Sequence, residues 1–76
     1  MPNVERMLEA RKRAEGRLEI AEEEIEVLRV GLDTDLDPVV RADLLQSLAA
    51  YERLVEQYRA RIGWLGSAIE GLAVPA

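Results

Sequence analysis

The chain lacks cysteine, histidine and phenylalanine altogether, and it holds one tryptophan and two tyrosines among 76 residues. Without Cys there is no disulfide to staple a small fold and no thiolate to attack a substrate or bind a metal. Without His there is no side chain that titrates unaided near neutral pH, the usual general base and a common metal ligand. Aliphatic hydroxyls are confined to Thr34, Ser47 and Ser67, and the single lysine, Lys12, sits in an Arg11-Lys12-Arg13 run flanked by Glu9 and Glu15. Long apolar runs are missing as well. Nothing reaches the roughly 18 residues of a membrane span, and no basic-then-apolar secretory leader opens the chain. Glycine-rich phosphate loops are also wanting, since Gly63 and Gly66 fall inside a helical pattern. Basic charge is scarce: 15 acids stand against 10 bases, for a net charge of −5. A nucleic-acid binder would normally carry a basic patch. The absences exclude most catalytic chemistry, and they predict a cytoplasmic, non-secreted protein without cofactor or metal, with no nucleic-acid partner and no membrane partner.

What is present is helical periodicity. The apolar share is 49%, drawn from Leu, Val, Ala and Ile, enough for a seam between helices but not for a globular centre. Val4, Met7, Ala14, Leu18, Ala21, Ile25, Leu28 and Leu32 recur at alternating spacings of three and four, broken only by Arg11. Leu44, Leu48, Tyr51, Val55, Tyr58, Ile62, Leu65, Ile69 and Leu72 form a second, unbroken series. Such spacing held over several heptads marks helices that pack lengthwise along a narrow stripe.

Between the two series lies a well-marked stop. Gly31 suits the left-handed position that often closes a helix, with Leu32 folding back on Val27. Asp33-Thr34-Asp35-Leu36-Asp37 follows, and then Pro38. A residue before proline avoids the helical region, so Asp37 reads as N-cap and Pro38 as the first helical position. The Asp-x-Asp-x-Asp run could open a calcium loop. That loop needs Gly at its sixth position and Glu at its twelfth, and here those are Pro38 and Leu44. Glu19, Glu22, Glu23 and Glu26 share a broad face, but a dimetal centre would add Glu-x-x-His motifs that the chain lacks.

The fold class predicted is all-α: an antiparallel two-helix coiled-coil hairpin spanning 1–76, with a helix over about 3–30, a loop over 31–37, a helix over 38–72 and a short tail, 73–76. A register with its tip in the Asp-rich loop pairs Leu32 with Asp37, Ile25 with Leu44, Ala21 with Leu48, Leu18 with Tyr51, Ala14 with Val55, Arg11 with Tyr58, Met7 with Ile62 and Val4 with Leu65. It sets Glu22 facing Leu45, Arg17 facing Leu54 and Glu15 facing Glu52. Arg11 is expected to lay its stem along the seam, with its guanidinium reaching outward or over Tyr58.

The hairpin carries more apolar surface than two helices need. Leu8 and Leu45 flank the seam on one side and Leu54 on the other, while Ile20 and Val27 form a stripe behind the first helix. The same register leaves Ile69 and Leu72 overhanging the first helix, beside an outward-facing Trp64 and a strip of Ala60, Gly63, Ser67 and Gly71. Leu8, Leu45, Leu54, Trp64, Leu65, Ile69 and Leu72 are therefore the expected protein-interface residues, with Trp64 as anchor. The expected partners are a second copy, in a homodimeric four-helix bundle or a larger homo-oligomer, and another protein at the end of the second helix. The functional expectation is a non-enzymatic structural or adaptor protein, such as an assembly or scaffolding component. A small acidic regulator or inhibitor of a larger target is the alternative, and peripheral membrane attachment through the C-terminus a weaker one.

Overall fold

The protein is described by a computed structural model, over residues 4–73. Helix α1 spans Val4–Leu32 and helix α2 spans Pro38–Ala73, folded back on each other. The described residues extend 60 × 16 × 14 Å, the proportions of two helices side by side, since 36 helical residues rise about 54 Å. All but the first residue of the expected tail, 73–76, lies outside the described residues, as does the expected helix start at residue 3.

The first helix runs two residues past its expected end, and Gly31 does not turn left-handed, because no glycine among the described residues has a positive φ. Threonine makes the stop instead. The Thr34 hydroxyl donates to the Gly31 carbonyl at 2.6 Å and the Thr34 amide donates to the same oxygen at 3.1 Å. The Asp33 amide is shared between the carbonyls of Arg29 and Val30, both at 3.2 Å. The carbonyls of Arg29, Val30 and Gly31 are thus met by a tightened final turn and a side-chain donor, without a left-handed residue. The start of α2 is as the sequence implies. Asp37 Oδ1 accepts from the Val39 amide at 2.8 Å, and the Asp37 carbonyl accepts the first helical bond, from Arg41, at 2.9 Å. Arg41 also reaches back to donate to the Thr34 carbonyl at 3.3 Å.

The register differs from the expected one by a full heptad. Arg59 donates to Glu22 at 3.2 Å, a Cβ built on Gly31 would stand 3.6 Å from Leu44 Cδ1, and Val55 clusters with Ala21 and Ile25, against Leu18, Leu48 and Tyr51. Followed along both helices, these contacts set Leu32 level with Leu44, Leu28 with Leu48, Ile25 with Tyr51, Ala21 with Val55, Leu18 with Tyr58, Ala14 with Ile62, Arg11 with Leu65 and Met7 with Ile69. The physical reason lies at the ends. The expected register leaves Leu28 and Leu32 opposite polar residues and strands Ile69 and Leu72. The observed one gives these leucines leucine partners, at roughly 1.5–3 kcal/mol for each side chain fully buried. Its cost is small, because only the exposed Pro38–Asp43 segment is left projecting beyond α1. Glu22 accordingly faces Arg59 rather than Leu45. Glu15, rather than facing Glu52, lies 3.6 Å from Arg11 on its own helix. Arg11 is half-buried and its guanidinium turns outward to that carboxylate.

The buried residues are Ala14, Ala21, Ile25, Val55 and Leu65, all on the seam. Ala14 and Ala21 face the larger Ile62 and Val55 across it, and every other seam position but Leu72 is half-buried.

Candidate interaction surface

In an antiparallel helix pair, the positions bordering the seam on each helix fall on two opposite flanks, and here the flanks differ in chemistry. One is charged. Glu22, Glu26, Arg29, Glu52, Glu56 and Arg59 line a shallow groove beside Ile25 and Val55, and the Arg59–Glu22 pair bridges it with both side chains about half exposed. So exposed a pair contributes at most about 1 kcal/mol.

The other flank is apolar. Ile20 and Leu54 border a groove with Arg17, Tyr51 and Tyr58, and Ala21 lies among its lining. Ile20 keeps 62% of its exposure. Heptad repetition extends the strip: Val27 repeats Ile20 one heptad on, and Val40, Ser47 and Arg61 repeat Leu54. Next to these run Asp43, Ala50, Gln57 and Trp64. Val27, Val40 and Trp64 are exposed, Trp64 at 65%. Arg17 borders the groove itself and Glu24 lies between Ile20 and Val27; the remaining charge stands toward the two ends of the strip. Arg13, Arg17 and Arg61 gather around Ala10 and Ala14 at the end near the chain termini, while Asp43 and the acidic loop lie at the other.

This flank gathers residues that the sequence had assigned to separate places. Leu54 was expected beside the seam, Ile20 and Val27 behind α1, and Trp64 at a distal anchor; all four are on one side. The signal was present in the spacing, because Ile20 and Val27 each stand three residues after a position that borders the seam on this flank, Arg17 and Glu24. Other expected interface residues fall elsewhere. Leu8 and Leu45 are exposed, but they lie on the charged flank at opposite ends of the hairpin. Leu65 is buried in the seam at 5% exposure and Ile69 is half-buried beside it. The C-terminal overhang expected from the sequence is therefore absent, and Trp64 does not share a face with Leu65 and Ile69. Leu72 is exposed at the far end.

The glycines of α2 are not demanded by packing within the hairpin. A Cβ built on Gly63, Gly66 or Gly71 would meet nothing within 4 Å. Among the described residues no group of three or more acidic, His or Cys side chains is placed to hold a metal ion, and no helix is long and apolar enough to cross a membrane. No family model, no curated protein and no solved structure matches this chain.

Proposed function

We propose that this chain is a non-enzymatic structural or adaptor protein that works by helix-mediated self-association and protein contacts, as an assembly or scaffolding component of a larger cytoplasmic complex. The observation that carries the reading is the chemical difference between the two flanks. Ile20, Val27, Val40, Leu54 and Trp64 are left exposed along one side, while Glu22, Glu26, Arg29, Glu52, Glu56 and Arg59 line a groove on the other. Exposed apolar side chains scattered singly are ordinary; a row of them aligned along one flank marks a contact surface. The face is also wider than two helices can cover, as it is when helices assemble into bundles of three or four. Sedimentation equilibrium and far-UV circular dichroism over low to high micromolar protein test this. Association and helicity should both rise with concentration. A stably folded monomer across that range would overturn the proposal.

A regulatory reading has one observation in its favour. Four carboxylates, from Glu22, Glu26, Glu52 and Glu56, line the groove of the charged flank against two guanidinium groups, a surface suited to a basic target. It calls for a one-to-one complex with a larger protein, whereas an assembly component is present in repeated copies.

A further inference from the structure

We propose that the apolar flank is covered by a second copy of this chain, related by a two-fold axis that lies in the interface and crosses both hairpins at right angles, so that each end of one copy meets the opposite end of the other. The inference rests on the self-association proposed above and gives it an occupant, an orientation and a pairing.

The orientation follows from charge. Arg13, Arg17 and Arg61 cluster at one end of the flank, and the exposed Asp43 and the Asp33–Asp37 loop stand at the other. Two hairpins can meet face to face about an axis parallel to the helices or about one perpendicular to them. The parallel axis lays the three arginines of one copy on those of the next, and like charges so opposed resist association. The perpendicular axis reverses the ends and brings opposite charges together.

The pairing follows from the observed register. An axis crossing α1 midway between Ile20 and Val27 crosses α2 between Ala50 and Leu54, because these segments lie side by side. On α1 it then sets Ile20 against Val27 of the second copy and Arg13 against the acidic loop. On α2 it sets Leu54 against Ala50, Arg61 against Asp43, and Trp64 against Val40. A single axis satisfies all of these at once: large meets small or medium at the centre, and unlike charges meet toward the ends. It also brings Glu24 close to its own copy beside the axis, a like-charge contact that physiological salt screens in part.

The area is adequate. From Val40 to Trp64 the strip runs about 36 Å at a rise of about 1.5 Å per residue, and the hairpin is 16 Å across. That footprint of about 600 Å², enlarged once side chains interdigitate, approaches the roughly 800 Å² per partner of stable interfaces.

Charge reversal tests the arrangement. Arg61 and Asp43 are both exposed, so Arg61→Asp and Asp43→Arg should leave the hairpin helical. Each variant alone places like charges at two symmetry-related contacts, and its self-association should weaken by about tenfold. An equimolar mixture of the two variants restores both contacts as unlike pairs, so sedimentation should recover association near that of the parent chain, as a heterodimer. If both single variants associate like the parent, or if mixing restores nothing, the two-fold arrangement is wrong while self-association stands. A parent chain that stays monomeric throughout would sink the underlying self-association instead.

Discussion

Truncating Ile20 to Ala separates association from folding. Burying an isoleucine fully, in place of exposing it, is worth about 1.5–3 kcal/mol. Ile20 retains 62% of its exposure in the hairpin, so roughly 1–2 kcal/mol of that remains for a partner to supply. The alanine methyl keeps a part, and a two-fold interface counts the loss twice. Ile20→Ala should therefore raise the dissociation constant by about 10- to 150-fold, at about 1.4 kcal/mol per decade. Within the hairpin the loss is smaller. The buried share of the side chain contributes about 0.5–1 kcal/mol, and alanine's better helix propensity offsets about half of it. Urea unfolding at a concentration where both proteins are monomeric should accordingly shift by no more than about 0.5 kcal/mol. Leu45→Ala is the matched control, a comparably exposed leucine at 51% on the charged flank, and it should leave association within about threefold of the parent, a change near 0.6 kcal/mol. Sedimentation equilibrium reads all three proteins. Equal losses from Ile20→Ala and Leu45→Ala, or no loss from either, would refute the assignment of the contact to the apolar flank.

Three further outcomes test the hairpin itself. Ala21 is 3% exposed and packs in a cluster with Val55, so Ala21→Leu should cost about 1–3 kcal/mol by overpacking, against no more than about 0.5 kcal/mol for the exposed Glu23→Ala; chemical denaturation measures both. Asp37→Ala removes the acceptor of the 2.8 Å bond from Val39 and should lower stability by about 0.5–2 kcal/mol, visible as a reduced urea midpoint with an unchanged slope. Gly63→Ala should raise the melting temperature, by about 0.5–1 kcal/mol of stability, because a Cβ there meets nothing within 4 Å; a fall in association in the same variant would reveal a backbone approaching that face.

How far the sequence could be read depended on which physical signals are local. The start of α2 was legible because Asp37 and Pro38 act within a few residues, through a cap and a fixed φ. The end of α1 was misplaced by two residues because two local devices competed. A glycine that could turn left-handed was available, and a threonine that could cap without it prevailed. The seam composition was legible from spacing alone, but the register was not. Sliding one helix past the other by seven residues carries every seam residue onto an equivalent position, so periodicity cannot distinguish the two alignments. Only the ends differ, where Leu28, Leu32, Ile69 and Leu72 either find partners or do not. Trp64 was correctly read as outward-facing. Its expected neighbours were not, because the overhang that grouped it with Leu65 and Ile69 depended on the wrong alignment. Leu54, Ile20 and Val27 each stand out in the sequence as apolar residues off the seam, but their union into one surface depends on how the two helices stand side by side.

The asymmetry between flanks also bears on how far association can proceed. Both flanks carry charge where they border the seam, Glu15, Glu22, Arg29, Glu52 and Arg59 on one and Arg17, Glu24 and Arg61 on the other; the difference lies in Leu54 and Val40, and one position further out, where Ile20 and Val27 stand against Glu19 and Glu26. Were both flanks apolar, each hairpin would have two sticky sides. A second copy would cover one and leave the other to recruit a third, giving open stacks with no natural end. With one apolar flank, a two-fold contact buries the row on both copies and presents charge on both outer faces. Leu8 and Leu45 interrupt that charge, but they stand at opposite ends with ionised neighbours between them and form no strip. The proposed arrangement would close at two chains and four helices. Growth into anything larger would then have to use different surfaces, and the first turns of α2, with Val39 71% exposed, would lie one toward each end of such a bundle.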